Sequence, residues 1–270
     1  MTKYNNDSIN NNNDKSKAQK ILRRIGIGSQ ILTHYPDNVD TARTITAQEA
    51  RLDERQSEAI HVPDLAKDLL EQISFEARKS DYVDAKSGVS ARMRITAFEN
   101  LLSTANRRML MNGDEKTSLR MADFLGIISA INGKIELVYE GEQEGAEQIS
   151  YHLISQACKT LFPTYFPEIK KLEKQDEEGP YDKLLGWFFS DNELFLEDTL
   201  DNGLYRDTLE NIPDIKNIIA KHQPNCAAND LYFMMEFLLW GLEANKRLNK
   251  YRTIEGFQFK DSLGSYISGL

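Results

Sequence analysis

The sequence predicts a mainly all-α protein: a helical bundle followed by a second helical subdomain. Three observations predict it. Apolar residues recur three and four positions apart in successive windows; glycine, proline and asparagine fall between those windows; and Lys134 to Tyr139 is the one short stretch that reads as a strand. With 270 residues, 40% of them hydrophobic, the chain can bury the core of one large domain or two small ones.

Residues 1–20 are polar, carry the unbroken run Asn10 to Asn13 and lack the apolar centre of a signal peptide, so a disordered tail is expected. Residues 21–57 follow: Ile21 to Tyr35 mixes Gly26 and Gly28 with a short apolar run, Pro36 ends it, and Thr41 to Gln56 reads as a helix. A helical domain over 58–172 comes next. Pro63 stands near a helix start, and Leu65, Leu69, Ile73 and Phe75 or Ala77 recur one turn apart between His61 and Ser80. Ser90 caps a helix from Ala91 to Met111, with Ile95, Phe98, Leu102, Ala105 and Met109 on one face and Arg92, Arg94, Arg107 and Arg108 on the other.

A further helix, Leu119 to Ile131, is expected to stop where Asn132-Gly133 supplies a left-handed residue. Helical spacing resumes from Ala146 to Leu172, interrupted by Pro163 and Pro167, and 173–180 reads as a charged linker. The second helical subdomain, 181–270, holds Tyr181 to Phe189, Asn202 to His222 broken near Pro213, and Asn229 to Asn249; the tail after Arg252 is weakly patterned.

Composition narrows the function. Asp and Glu total 42 against 33 Lys and Arg, a net charge of −9, which disfavours a broad nucleic-acid or anionic-membrane footprint. Leu231 to Leu242, the most apolar stretch, contains Glu236 and is far shorter than the roughly twenty residues that span a bilayer, so it reads as a buried or oligomer-facing helix. Cys158 and Cys226 have no C-x-x-C partner, which suits a reduced, cytoplasmic protein with plain buried thiols.

Catalytic signatures are missing. No window fits G-x-x-x-x-G-K-[ST], the loop whose amides wrap nucleotide phosphates; the nearest, Gly126 to Lys134, has the wrong spacing. Leu194 to Asp198 is an apolar run ending in two acids, but its acidic, helix-patterned surroundings argue against a magnesium-holding strand. His34, His61, His152 and His222 are scattered, and no G-x-S-x-G elbow occurs. Tyr139 to Gly145 reads as an ordinary acidic surface loop, and Trp187, Phe188 and Phe189 as core. No catalytic residue and no metal ligand is assigned.

Three blocks carry a family resemblance. Lys86-Ser87-Gly88-Val89-Ser90-Ala91-Arg92, leading into Ile95 to Asn100 and Arg107-Arg108, resembles the start of the helical lid of magnesium-chelatase ATPase subunits and their MoxR-like AAA+ relatives. Ile131 to Gly145 resembles the signature that follows in that family, and Ile27 to Pro36 is similar to the end of its ATPase core. The resemblance runs from about Gly28 to Pro167 and makes 21–57 the end of an AAA+ core with a linker helix, and 58–172 the lid.

The resemblance implies that Arg92 stands at the second-sensor position, reaching the γ-phosphate of ATP from the lid. A guanidinium in the first helical turn adds its donors to the positive end of the helix dipole, where a phosphate is favoured. Family members place a trans-acting arginine shortly before the Gly-Ser-Gln block. Gly26 stands there in this chain, with Arg23 and Arg24 slightly upstream, and an Asn-rich stretch replaces the strand of the first sensor. The expected function is therefore the lid part of such an ATPase, inactive alone, with ATP and Mg2+ entering through a complete partner subunit. Its partners would be AAA+ subunits or a second copy, with a von Willebrand A-type protein as remodelling target. The alternative is a helical adaptor with no nucleotide role, docking through Leu231 to Leu242.

Overall fold

The computed structural model describes residues 34–84, 89–169 and 179–262, so the expectations for the tail, for Arg23, Arg24 and Gly26, and for most of the linker lie outside the described residues. The described chain is mainly helical, as expected.

Where one helix was predicted over Thr41 to Gln56, two form. α1, Val39–Glu49, begins at Asn38, whose side chain accepts the Thr41 amide at 2.9 Å. Ala50 then turns extended, and the Asp53 carboxylate accepts the Arg55 amide to start α2, Glu54–Ala59. β1, Ile60–His61, leads through Pro63 into α3, Asp64–Lys79. The predicted face of α3, Leu65, Leu69, Ile73 and Ala77, is buried, but so are Glu71, Gln72, Ser74 and Glu76, because the helix is covered on more than one side: Thr46 of α1 donates to Glu71, and Thr160 of the later helix Ala146–Tyr165 donates to Glu76.

α4, Arg92–Asn112, follows Ser90, whose hydroxyl accepts the Arg92 amide at 3.3 Å, and ends at Gly113 with φ +69°. β2, Thr117–Ser118, pairs with β1 in parallel. The helix expected over Leu119 to Ile131 is a 3-10 helix, Met121–Ile127, running into α5, Ile128–Asn132. The tighter turn has a cause: the Asp123 carboxylate accepts the Arg120 amide at 2.8 Å and is itself held by Arg108. Gly133 ends α5 with φ −83°, so the stop lies where predicted but the left-handed residue does not.

The strand candidate Lys134 to Tyr139 makes only two isolated bridges, Ile135 to Val89 and Leu137 to Val83. The acidic stretch beyond it is the short helix α6, Tyr139–Glu144, and not a loop. α7, Ala146–Tyr165, keeps Pro163 in its last turn, where the amide it deletes would have served the exposed residue Lys159.

The expectation of a purely helical second subdomain is corrected. α8 (Asp182–Phe189), α9 (Asn202–Glu210), α10 (Ile215–His222) and α11 (Leu231–Ala244) are joined by three strands: β3 (Leu194–Glu197), β4 (Leu248–Arg252) and β5 (Gly256–Asp261). They form an antiparallel sheet in the order β3-β5-β4. In β3 the burial alternates, with Leu194 and Leu196 inward and Phe195 outward, a period-2 signal too short to separate from its acidic flanks by sequence. Gly256 allows the close approach of β3 and β5, since a Cβ there would stand 2.0 Å from the Leu196 carbonyl oxygen. α11 stops short of Asn249, because the chain turns at Lys246, φ +60°, into β4.

One continuous set of buried side chains runs from Ile60 to Phe259. α7 lies at its middle, packed on α3 and on α11. Phe162 of α7 contacts the rings of Phe166, Tyr181 and Phe237 at centroid distances of 5.4, 6.0 and 6.4 Å. Gly241 of α11 lies against the same ring, and a Cβ there would fall 2.0 Å from Phe162 Cδ2. α11 is thus internal to the chain: Phe233 to Leu242 are all buried, and the partner-facing role weighed for Leu231 to Leu242 has no exposed apolar face to use.

Gly241→Ala forces the Phe162 ring to move inside a packed core and should lower unfolding free energy by about 1–3 kcal/mol in urea titrations, whereas a Gly186→Ala control, with open space at its Cβ, should lose none.

Candidate functional site

The start of α4 is where the sequence places its candidate residue. Ser90 fixes the helix entry twice, accepting the Arg92 amide on its hydroxyl and the Met93 amide on its carbonyl at 2.9 Å. The Ser90 amide donates to the Lys134 carbonyl at 3.2 Å, and Val89 bridges Ile135, so two of the blocks that carry the family resemblance are neighbours in space.

The arginines of α4 separate into different environments. Arg92 is exposed, and among the described residues its guanidinium has no ion-pair or hydrogen-bond partner. Arg94 is fully buried, with Nη1 3.2 Å from Glu71 Oε2. Glu71 also accepts the Thr46 hydroxyl at 2.5 Å. Burial pushes the Glu71 carboxyl above its ordinary value against the opposing pull of Thr46 and Arg94. Arg108 is buried on Asp123 at 2.8 Å, and Arg107 is exposed. A positive side chain in the first helical turn opposes the helix dipole, and no acidic residue offsets Arg92 and Arg94 there. The helix gives up local stability to keep positive charge where an anion would be favoured.

Two residues that sequence reasoning missed join this end of α4. The Tyr35 hydroxyl donates to the Val89 carbonyl, and the Arg78 guanidinium lies 3.7 Å over the Tyr35 ring. Burial pulls the Arg78 guanidinium below its ordinary value, and its Nε and Nη2 are buried with no hydrogen-bond partner. The second arginine that Arg78 feels is the buried Arg94, whose like charge also lowers it. Tyr35 falls within the Ile27 to Pro36 block, but nothing in the sequence links it to Arg78, in the last turn of α3.

The other sequence candidates are dispersed. Asp198, beyond β3, is paired with Arg252 at 2.6 Å, and Leu194–Glu197 is a strand, not the helix its surroundings suggested. Glu140, Glu142 and Glu144 are exposed on α6, and among the described residues no three His, Cys, Asp or Glu side chains converge as a metal set. Phe188 is core, Trp187 packs against the core, and Phe189 is exposed. Cys158 is fully buried, which pushes its thiol up to about 12, while Cys226 is only partly covered. His61, scattered by sequence, sits 2.5 Å from Asp230 at the start of α11.

A buried carboxyl also joins the two halves. Glu236 of α11 accepts the Met121 amide at 2.9 Å and the Tyr205 hydroxyl at 2.8 Å. Burial pushes it up to about 7, against those two hydrogen bonds and nearby Arg120.

Removing Arg94 strands the buried Glu71 carboxylate, so Arg94→Ala should cost about 3–5 kcal/mol of stability, whereas Arg92→Ala should stay within about 0.5 kcal/mol; urea unfolding of both variants measures the contrast. Because the folded Glu236 binds its proton more tightly than the unfolded chain does, its contribution is complete below about pH 4.5 and is lost as pH rises through about 7. Glu236→Gln, which mimics the protonated acid, should flatten that decline in urea titrations between pH 5 and pH 8. Compared with known proteins, the chain matches no family model, no curated protein and no solved structure.

Proposed function

We propose that this chain is the lid part of a magnesium-chelatase-like AAA+ ATPase, contributing Arg92 as a second-sensor arginine to nucleotide held by a complete subunit. The observation that carries the reading is the sorting of arginines on α4: Arg94 and Arg108 are consumed in buried ion pairs, while Arg92, at the first helical position, points its charge at solvent. Bound nucleotide would supply the scissile phosphoanhydride, and Mg2+ would neutralise much of the phosphate charge. The chain's own part is to place one guanidinium near the γ-phosphate and to tie it to a rigid helix.

The rigidity has a source. α4 is fastened to α3 by Arg94 and Glu71 and to the 3-10 helix by Arg108 and Asp123, so a pull on Arg92 is passed to the whole bundle. Without a phosphate-wrapping loop in its sequence the chain does not turn over ATP alone. Its partners are AAA+ subunits or a second copy in the cytoplasm, with a von Willebrand A-type protein as target by family analogy. Neither nucleic acid nor membrane enters this reading. The adaptor alternative now rests on Leu110 and Met111 at the end of α4, which are 67% and 58% exposed, in place of α11.

The test is ATP hydrolysis by a complete MoxR-like ATPase with and without this chain. Wild type should change turnover and Arg92→Ala should lose at least about tenfold of that effect, the scale of one misplaced phosphate-binding charge. An unchanged effect of Arg92→Ala removes the nucleotide role, and nucleotide-independent assembly that Leu110→Ser with Met111→Ser abolishes supports the adaptor.

A further inference from the structure

An opening in the surface lies away from Arg92. A groove of about 570 Å³ runs between α2, the β1–β2 pair, the middle of α4 and the exposed side of α9. That volume suits an organic ligand of modest size. Its floor is apolar, made by Phe98, Leu102 and Val62, and its rim is cationic, made by Lys67, Lys116 and Arg206. Leu102 is ten residues along α4 from Arg92, about 15 Å down the helix axis, so the groove and the proposed sensor are separate places.

The rim charges are not the residue of ordinary surface pairing. Acids outnumber bases 42 to 33 in this chain, so any two exposed cations have ample partners. Yet among the described residues neither Lys116 nor Arg206 has a carboxylate within ion-pair distance. For Arg206 the structure gives a reason. Glu210, one turn further along α9 and its natural partner, is occupied by Lys216 at 2.7 Å and by the Tyr232 hydroxyl at 2.6 Å. The Arg206 guanidinium lies 5.2 Å from the ring of Tyr232, the residue whose hydroxyl holds Glu210.

Lys116 is delivered to the same rim by backbone bonding, since the Asn202 side chain at the start of α9 donates to its carbonyl at 2.9 Å. Lys67 is shared with Asp64 at 2.9 Å, and Glu58 is the acid that lines the groove. At the back, His61 is held through Nε2 by Asp230. A planar guanidinium and two ammonium groups around an apolar floor match a tetrahedral, multiply charged oxyanion attached to an organic body.

We infer that the groove between β1–β2, α4 and α9 binds a phosphorylated small molecule, with Lys116 and Arg206 on the phosphate and Phe98, Leu102 and Val62 under its organic part. The site does not depend on the ATPase reading and takes its ligand without Arg92.

Phenyl phosphate, which joins an aromatic ring to a phosphomonoester, is the probe, titrated into the full chain by calorimetry and by NMR of the His61 ring. The expected result is binding that shifts the His61 resonances, weakens by at least about tenfold in Lys116→Glu with Arg206→Glu, and stays within about twofold in Arg92→Ala. Inorganic phosphate should bind more weakly than phenyl phosphate, because it leaves the floor uncovered. Both substituted residues are exposed, and Lys116→Ala with Arg206→Ala gives the milder version should the reversed charges disturb folding. No saturable binding, binding unchanged in both double variants, loss in Arg92→Ala, or equal affinity for benzoate each overturns the inference. Tighter binding of an octaglutamate peptide than of phenyl phosphate, abolished in the same double variants, also overturns it and makes the groove a protein contact.

Discussion

The side chain on which the most separate segments depend is Arg108. From the last third of α4 its guanidinium donates to Asp123, to the Thr117 hydroxyl at 2.9 Å and to the Ser118 carbonyl at 3.0 Å. Those contacts fix β2 beside β1 and hold the 3-10 helix in its tight winding. Asp123 in turn positions Arg120, which reaches the Leu200 carbonyl at 2.7 Å and the Asn202 side chain at 3.2 Å, across to the second half of the chain. A buried ion pair of this kind contributes little net stability, yet its loss leaves charges uncompensated, so it acts mainly as a specification of geometry. Burial, with Arg108 alongside, pulls the Arg120 guanidinium down to about 10.

The same helix carries arginines in two kinds of environment. Its middle and C-terminal portions supply core residues and the Arg108 anchor, and its first turn carries both the buried anchor Arg94 and an arginine, Arg92, that nothing in the described chain neutralises. Paired and unpaired charge are thus separated by burial on one element. Arg92 and Arg94 are alike in type and almost adjacent, and only the packing of α1 and α3 against α4 decides which of them is structural.

Helical periodicity made α3, α4 and α7 legible, because each is long enough for the three- and four-residue recurrence of apolar positions to repeat over several turns. It failed where the signal was short or set by tertiary contacts. The break between α1 and α2 depends on the Asp53 cap, the 3-10 winding on Arg108 reaching Asp123, and the place of β3 in the sheet on its pairing with β5, more than fifty residues away. The site was half legible. Arg92 was reached through a motif, whereas Arg78 with Tyr35, and Lys116 with Arg206, are brought together only by the fold.

Glu236 adds a consequence for how the folding reaction is observed. A carboxyl pushed up to about 7 inside the native core is partly protonated at neutral pH, while the same group in the unfolded chain is ionised. Folding at pH 7 therefore withdraws a fraction of a proton from the medium at this one residue. The heat recorded on folding then contains the ionisation enthalpy of whatever buffer gives up that proton, and two laboratories using phosphate and Tris would record different enthalpies for the same structural change.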